Sequence, residues 1–220
     1  MSRSGQRSPW VGRSIGIGIF VVVALAIGLT TTYTTAEQGA AVAAGLNPDK
    51  SFDPAVKAAE LFPQIQADLP AKAVDMTEFV TAATADREGA AKQYGVDLGA
   101  GSFAVPLVIK GTVSDVDDKF ITLDVEGASA DVPVRVPLSS ALNGGPVRDA
   151  LGIISFGDVP DQIAFQSLAQ EIKNLMKAQV VEPANAASLK GKAVTIYGAW
   201  ASQSPKSSWV VQPVTIEAAS

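Results

Sequence analysis

The second half of the chain contains five segments in which apolar and polar residues alternate. A strand with one buried face has this period of two, because successive side chains point to opposite faces. The segments read VPLVIKGTVSDV, ITLDVEG, DVPVRVPL, KAVTIYGAW and WVVQPVTIEA. Between the third and the fourth lies DQIAFQSLAQEIKNLMKAQ, where Phe165, Leu168 and Ile172 recur at helical spacing. The order is therefore three strands, a helix and two strands.

This order of elements is the chain order of the OB-fold, a Greek-key barrel of five strands. It predicts an α+β protein in which residues 101–220 form an OB-like five-stranded β-barrel with a helix between strands 3 and 4. The alternation of apolar and polar residues does not show whether the strands close into a barrel. An open meander covered by helices produces the same pattern, and both alternatives stay open.

Helical spacing precedes these strands and predicts a helical pair in residues 54–100. Pro54 stands where a first helical residue is expected, a position that tolerates proline, whereas Pro63 predicts a kink or break. Asp75 with Glu78 three residues later is typical of a capping box at the start of the second helix.

The N-terminal region carries the strongest targeting signal. Residues 14–36, between Arg13 and Glu37, form a stretch of 23 residues without charge. As a helix it would reach about 35 Å, enough to cross a hydrocarbon core of about 30 Å. The arginines that precede it predict a cytoplasmic basic tail over residues 1–13 and a membrane anchor over residues 14–36. Residues 37–53 would form a linker to an extracytoplasmic C-terminal domain.

The expected location is therefore the cell membrane, in single-pass orientation. A cleaved signal peptide is the alternative, with a tolerable cleavage site at residues 34–36.

The amino-acid composition excludes most kinds of catalytic site. The chain has no cysteine and no histidine, which excludes disulfides, thiolate sites and every nucleophile that a histidine activates. We therefore expect no enzyme, no cofactor and no metal. After the first 13 residues, 14 basic stand against 22 acidic residues, a net charge of −8. This balance argues against nucleic-acid binding, which needs clustered lysine and arginine.

The block GGPVRDALGIISFGDVPDQ, residues 144–162, joins the third strand to the helix. Its polar side chains are Arg148, Asp149, Asp158, Asp161 and Gln162. One interpretation is structural: a bidentate Arg148–Asp149 pair holds the connection, and Asp158 or Asp161 caps the helix, with Pro160 in its first turn. Ile154 and Phe156 would then plug one end of the barrel. The other interpretation is a ligand or partner site.

In that second interpretation Arg148, Asp149, Asp158 and Gln162 contact the ligand or partner. Trp200 is a further candidate contact, because aromatic faces stack on sugars or bases. It shares a strand face with Val194 and Ile196, which favours a place in the core instead.

From about Phe52 to Glu217 the chain resembles an uncharacterised bacterial family known as predicted periplasmic lipoproteins. The matching stretches are AVDM, KQYG, IKGTVSDVD, VRDALGIISFGDVPDQ and LKGKAVTIYGAW. The resemblance implies a place outside the cytoplasm and a role beside sugar transporters driven by ATP. A sugar ligand and components of an ABC transporter are therefore candidate partners. The chain departs from the family label because it has no cysteine to carry a lipid, so attachment is expected from the hydrophobic segment.

Together these features predict a non-catalytic, membrane-anchored extracytoplasmic accessory or binding protein linked to a sugar ABC transport system. One alternative is a structural envelope adaptor that binds protein only. A carboxylate-dependent hydrolase is the weakest alternative, since no spacing singles out a pair of carboxylates.

Overall fold

A computed structural model describes residues 52–218 of the chain. The predicted basic tail, the membrane anchor and nearly all of the linker lie outside these residues. Within residues 52–218, no helix combines the length and the apolar character that crossing a membrane requires.

Three helices open the described part: α1 (Pro54–Lys72), α2 (Met76–Ala85) and α3 (Arg87–Tyr94). Asp53 caps α1 by accepting a hydrogen bond from the Ala55 N–H at 2.9 Å. The break predicted at Pro63 is wrong, because α1 continues through Pro63 and also through Pro70. Both prolines are exposed, so water can hydrate the carbonyl groups that they leave without an amide partner.

The second predicted helix is divided at Asp86. The Asp86 carboxylate accepts from the Gly89 N–H at 2.9 Å and starts α3, while its backbone leaves helical geometry with φ −150°. Asp75 caps α2 by accepting from the Thr77 N–H at 3.0 Å. Glu78 instead accepts a hydrogen bond from the Tyr94 hydroxyl at 3.0 Å, which ties α2 to α3. The helical segment is therefore a trio rather than a pair.

Seven strands pair in one sheet: β1 (Val74–Asp75), β2 (Val96–Asp97), β3 (Phe103–Val116), β4 (Phe120–Asp124), β5 (Val134–Pro137), β6 (Ala193–Ala201) and β7 (Trp209–Ala218). The five long strands pair in the order β3, β4, β5, β7, β6, and β6 pairs again with β3. β5 and β7 are parallel, and the other four pairings are antiparallel. The strands thus form a ring, whereas an open meander would leave β3 with only one long partner.

Helical segments fill the connection between β5 and β6. They are α4 (Gly144–Asp149), a 3₁₀ turn (Phe156–Asp158), α5 (Gln162–Met176), a π-helical turn (Lys177–Val181), a helical turn (Glu182–Ala184) and a second 3₁₀ turn (Ala186–Leu189). The helix expected between the third and fourth long strands is α5. Helix α4 has no counterpart among the elements expected from the sequence.

The apolar side chains form two cores. The first lies inside the ring of strands and includes Val105, Leu107 and Ile109, together with Met76 and Phe79 from α2. The second lies between the outer face of β6 and β7 and the helices α1, α4 and α5. Alternation along the strands predicted the first core, while the helices create the second.

The prediction that Ile154 and Phe156 plug the ring is wrong. Ile154 is buried in the second core, outside the ring, and the Phe156 side chain is 56% exposed. Phe79 of α2 packs into the first core instead, where its ring centroid lies 5.1 Å from that of Trp200.

The turn between β3 and β4 is built on Asp117. The Asp117 carboxylate accepts hydrogen bonds from the N–H groups of Lys119 at 2.6 Å and Phe120 at 2.8 Å. These bonds favour the ionised carboxylate and lower the pKa of Asp117.

We expect acidification below about pH 4 to weaken this turn. Because the folded state lowers the pKa of Asp117, its contribution is fully present above the unfolded pKa and is lost as the pH falls through the folded pKa. Melting temperatures of wild type and Asp117→Asn, measured from about pH 6 to about pH 2, should therefore differ less at the acid end. The control is Asp118→Asn, whose carboxylate accepts no hydrogen bond from the described residues. The prediction would be contradicted if the difference in melting temperature between wild type and Asp117→Asn stayed the same at every pH.

Candidate functional site

The block of residues 144–162 is fixed to the strand ring at its beginning. The Asn143 N–H donates to Oε1 of the buried Gln212 on β7 at 2.8 Å. The Asn143 side chain then caps α4 by accepting from the Gly145 N–H at 2.9 Å. Helix α4 packs against α5 and carries Arg148 and Asp149 at its last two positions, inside the protein.

Arg148 and Asp149 form a buried bidentate ion pair. Arg148 Nε donates to Asp149 Oδ1 at 2.7 Å, and Arg148 Nη2 donates to Asp149 Oδ2 at 2.9 Å. Arg148 is 8% exposed and Asp149 is 9% exposed. This two-point geometry is the strongest form of contact between arginine and a carboxylate.

Phe165 on α5 makes two further contacts with Arg148. Arg148 Nη1 donates to the carbonyl oxygen of Phe165 at 2.7 Å. The guanidinium carbon lies 3.3 Å from the centroid of the Phe165 ring, a cation–π contact. The guanidinium thus faces its own chain, as the structural interpretation expects. Arg148 joins α4 to α5.

A cavity of about 410 Å³ opens on the Asp149 side of this pair. We call it the Phe156 cavity. Its walls include Asp97, Leu98, Asp149, Ile154, Phe156 and Phe165. The Phe156 and Phe165 rings meet edge to face, with centroids 5.8 Å apart and planes at 86°. The cavity is therefore largely apolar, with two aromatic walls and one buried carboxylate that is already paired.

Asp158 and Asp161 serve the backbone of the block. Asp158 Oδ2 accepts from both the N–H and the hydroxyl of Ser155 at 2.7 Å. These bonds lower the pKa of Asp158, the hydroxyl contributing most. Asp161 caps α5 by accepting from the Ala164 N–H at 2.8 Å, so Pro160 precedes the helix rather than standing in its first turn.

Gln162 is exposed at the start of α5. Its side chain makes no hydrogen bond with another described residue and does not line the Phe156 cavity. The structure therefore brings Arg148 and Asp149 together as a pair, but only Asp149 lines the cavity, whereas Arg148, Asp158 and Gln162 do not.

Trp200 is fully buried in the first core. Its ring centroid lies 5.1 Å from that of Phe79 and 5.7 Å from that of Trp209. This position matches the core alternative that its strand face favoured. Its indole nitrogen has no hydrogen-bond partner among the described residues.

Sequence reasoning missed two walls of the cavity. Leu98 lies in the loop between β2 and β3, far from the block in sequence, and its side chain is 44% exposed. Phe165 was read only as part of the apolar face of α5. No local pattern pointed to Leu98, whereas the place of Phe165 in the first turn of α5 was a usable signal.

Residues 52–218 contain no group of three or more aspartate or glutamate side chains positioned to hold a metal ion. The carboxylates that line the Phe156 cavity belong to different local networks, because Asp149 pairs with Arg148 while Asp97 accepts from the Gly99 N–H at 2.8 Å.

Comparison with known proteins bears on both fold and family. A family model described as "Predicted periplasmic lipoprotein (DUF2291)" matches residues 19–217. The crystal structure of an OB-fold protein from Thermotoga maritima MSB8 is similar to this chain with a TM-score of 0.67 and 21% sequence identity. The similarity covers 77% of this chain and 100% of the other. No curated protein matches the sequence. The structural likeness confirms the OB-like fold.

Proposed function

Because the chain belongs to the family of predicted periplasmic lipoproteins, we propose that it is a non-catalytic binding module that works outside the cytoplasm. The Phe156 cavity is its binding site. The observation that carries this proposal is the combination of a cavity of about 410 Å³ with aromatic walls and carboxylates that already accept hydrogen bonds from the protein. Mostly apolar concave sites with a few polar groups are typical of ligand pockets.

We propose that the protein is not an enzyme because the carboxylates at the cavity already accept hydrogen bonds from the protein. Both oxygens of Asp149 accept from Arg148, and Oδ1 of Asp97 accepts from the Gly99 N–H at 2.8 Å. Beside the cavity, Oδ2 of Asp158 accepts twice from Ser155. A general acid or base must be free to exchange a proton with a substrate. Carboxylates fixed in this way are poorly suited to that task.

The first candidate ligand is a sugar, which would make the protein an accessory of a sugar ABC transport system. The faces of pyranose rings carry apolar C–H groups that pack on aromatic side chains such as Phe156 and Phe165. OB-folds include domains that bind oligosaccharides. In this proposal the uncharged segment of residues 14–36 holds the domain at the outer face of the cell membrane.

The second candidate function is an envelope adaptor that binds protein only. Leu98 and Phe156 at the cavity and Ile153 in the adjoining segment are exposed apolar side chains. Exposed apolar groups around a concave surface are typical of protein–protein contacts.

A thermal-shift experiment on the purified full chain separates the two functions. If a sugar binds, saturating concentrations must raise the melting temperature, because binding to the native state stabilises it. At 100 times the dissociation constant the stabilisation is about 2.7 kcal/mol, which corresponds to several degrees for a domain of this size. Phe156→Ala should abolish the shift, since it removes one aromatic wall.

The matched control is Ile163→Ala, which also truncates an exposed apolar side chain but does not line the cavity. It should keep the sugar-induced shift. If no sugar raises the melting temperature while the chain co-purifies with a transporter subunit, and Phe156→Ala weakens that association, the adaptor function is supported. A sugar shift that survives Phe156→Ala would place the binding site elsewhere.

A further inference from the structure

A second cavity among the described residues has a volume of about 380 Å³. We call it the Arg87 cavity. It is formed by the first turn of α3, the β2–β3 loop and the hairpin between β6 and β7. Its lining includes Arg87, Glu88, Phe103, Ser202, Gln203 and Lys206. None of these residues belongs to the Phe156 cavity.

Arg87 is held in place by aromatic rings rather than by an acid. Its guanidinium carbon lies 4.4 Å from the centroid of the Trp209 ring and 4.9 Å from that of Trp200. Its Nη2 donates two long hydrogen bonds to the backbone oxygens of Ser204 at 3.3 Å and Pro205 at 3.4 Å. These contacts fix the plane of the guanidinium and the direction of its remaining N–H groups.

The charge of Arg87 is not matched within the described part of the chain. No carboxylate of residues 52–218 forms an ion pair with it, and its Nε and Nη1 donate to no described acceptor. Partial burial lowers the pKa of Arg87, which is the effect of removing a cation from water without a counter-ion. An anion that entered the cavity would offset this cost.

The charges at the cavity indicate which anion fits. Arg87 and Lys206 carry two positive charges and Glu88 one negative charge, so the lining has a net charge of +1. A group with one negative charge balances it, while a phosphate with nearly two would leave an excess beside Glu88. A carboxylate also matches the two-point geometry of a guanidinium.

Neutral donors add to the site. The Ser202 hydroxyl oxygen accepts from the Phe103 N–H at 2.9 Å, which leaves its own proton free to donate. Gln203 Nε2 donates to the Ser102 hydroxyl at 3.2 Å, so the side chain is held over the cavity rim. Hydroxyl and amide groups of this kind suit a hydrophilic ligand.

We propose that the Arg87 cavity binds a small hydrophilic carboxylate, with Arg87 as the fixed partner of the carboxylate and Lys206 as the second positive charge. The site does not depend on the Phe156 cavity or on its ligand. Such a site would allow this acidic domain to bind an anion selectively.

The test uses D-glucuronate as the probe and D-glucose as its neutral counterpart, since the two differ in the carboxylate. Thermal-shift titrations are run on the full chain and on its Phe156→Ala variant, in which sugar binding at the Phe156 cavity should be lost. In Phe156→Ala, glucuronate should still raise the melting temperature and glucose should not. Lys206→Gln should weaken the apparent glucuronate affinity about tenfold, and Arg87→Lys, which keeps the charge but loses the planar fork, by at least as much. The shift should shrink as the salt concentration rises.

Phe156→Ala serves as the control, because it alters the other cavity and should leave the glucuronate shift unchanged. Lys206 is an exposed loop residue, so Lys206→Gln is expected to fold normally. The proposal is overturned if glucuronate at about 50 mM does not raise the melting temperature, since this concentration would occupy even a weak site. It is also overturned if glucose shifts Phe156→Ala as much as glucuronate does, if Lys206→Gln binds as well as wild type, or if inorganic phosphate binds and glucuronate does not.

Discussion

Replacing Arg148 with alanine is expected to lower the free energy of unfolding by about 3–5 kcal/mol. The substitution leaves the Asp149 carboxylate buried without its two donors and removes the hydrogen bond to the Phe165 carbonyl. An unpaired charge inside a protein is far more costly than an unpaired charge at the surface. Urea denaturation of wild type and Arg148→Ala measures the loss. The midpoint of unfolding should fall, while the slope of the unfolding free energy against urea concentration should stay unchanged.

The informative control removes both charges at once. A double variant, Arg148→Met with Asp149→Leu, fills similar volume with apolar side chains and leaves no buried charge. Replacement of a buried ion pair in this way is often close to neutral. We therefore expect the double variant to be much more stable than Arg148→Ala. The structural interpretation fails if Arg148→Ala unfolds at the wild-type urea concentration while ligand or partner binding is lost.

The strands were the most predictable part of the fold, because alternation is a local signal. The last predicted strand, WVVQPVTIEA, coincides with β7 over Trp209–Ala218. Closure of the ring was not predictable in the same way. It depends on the pairing of β3 with β6, two segments about 90 residues apart, whose patterns say only that each has a buried face.

The helical elements show how tertiary structure overrides local signals. Proline usually interrupts a helix, yet α1 continues through Pro63 because the second core holds its apolar face at Phe62 and Ile65. At Asp86 the reverse occurs. The residues on either side favour a helix, but the carboxylate caps a new one and the chain turns.

The site could be predicted only where its partners are neighbours in sequence. Arg148 and Asp149 are adjacent, and their bidentate pair was one of the two interpretations that the sequence allowed. The Phe165 carbonyl and ring belong to another helix, and Leu98 comes from a loop about 50 residues earlier. Such contacts are set by packing, so no spacing rule finds them.

Replacing Gly144 with alanine is expected to destabilise the protein by about 3 kcal/mol or more, at the upper end for overpacking. A β-carbon at this position would overlap the Ala169 carbonyl oxygen and lie 2.8 Å from the Lys173 backbone nitrogen. Both atoms belong to the backbone of α5, which cannot rotate aside as a side chain can. Helix α4 would have to move away from α5. Thermal or urea unfolding measures the loss.

Gly145→Ala is the matched control, because it adds the same methyl group one position later in the same helix. There the nearest atom is Asn143 Oδ1, a side-chain atom, at 3.2 Å. Alanine is also a better helix former than glycine by about 1 kcal/mol, so we expect little change in stability or a small gain. Equal effects of the two substitutions would contradict the prediction. Since the contact at Gly144 sets the spacing of α4 and α5, Gly144→Ala should also separate Arg148 from Phe165 and reshape the Phe156 cavity.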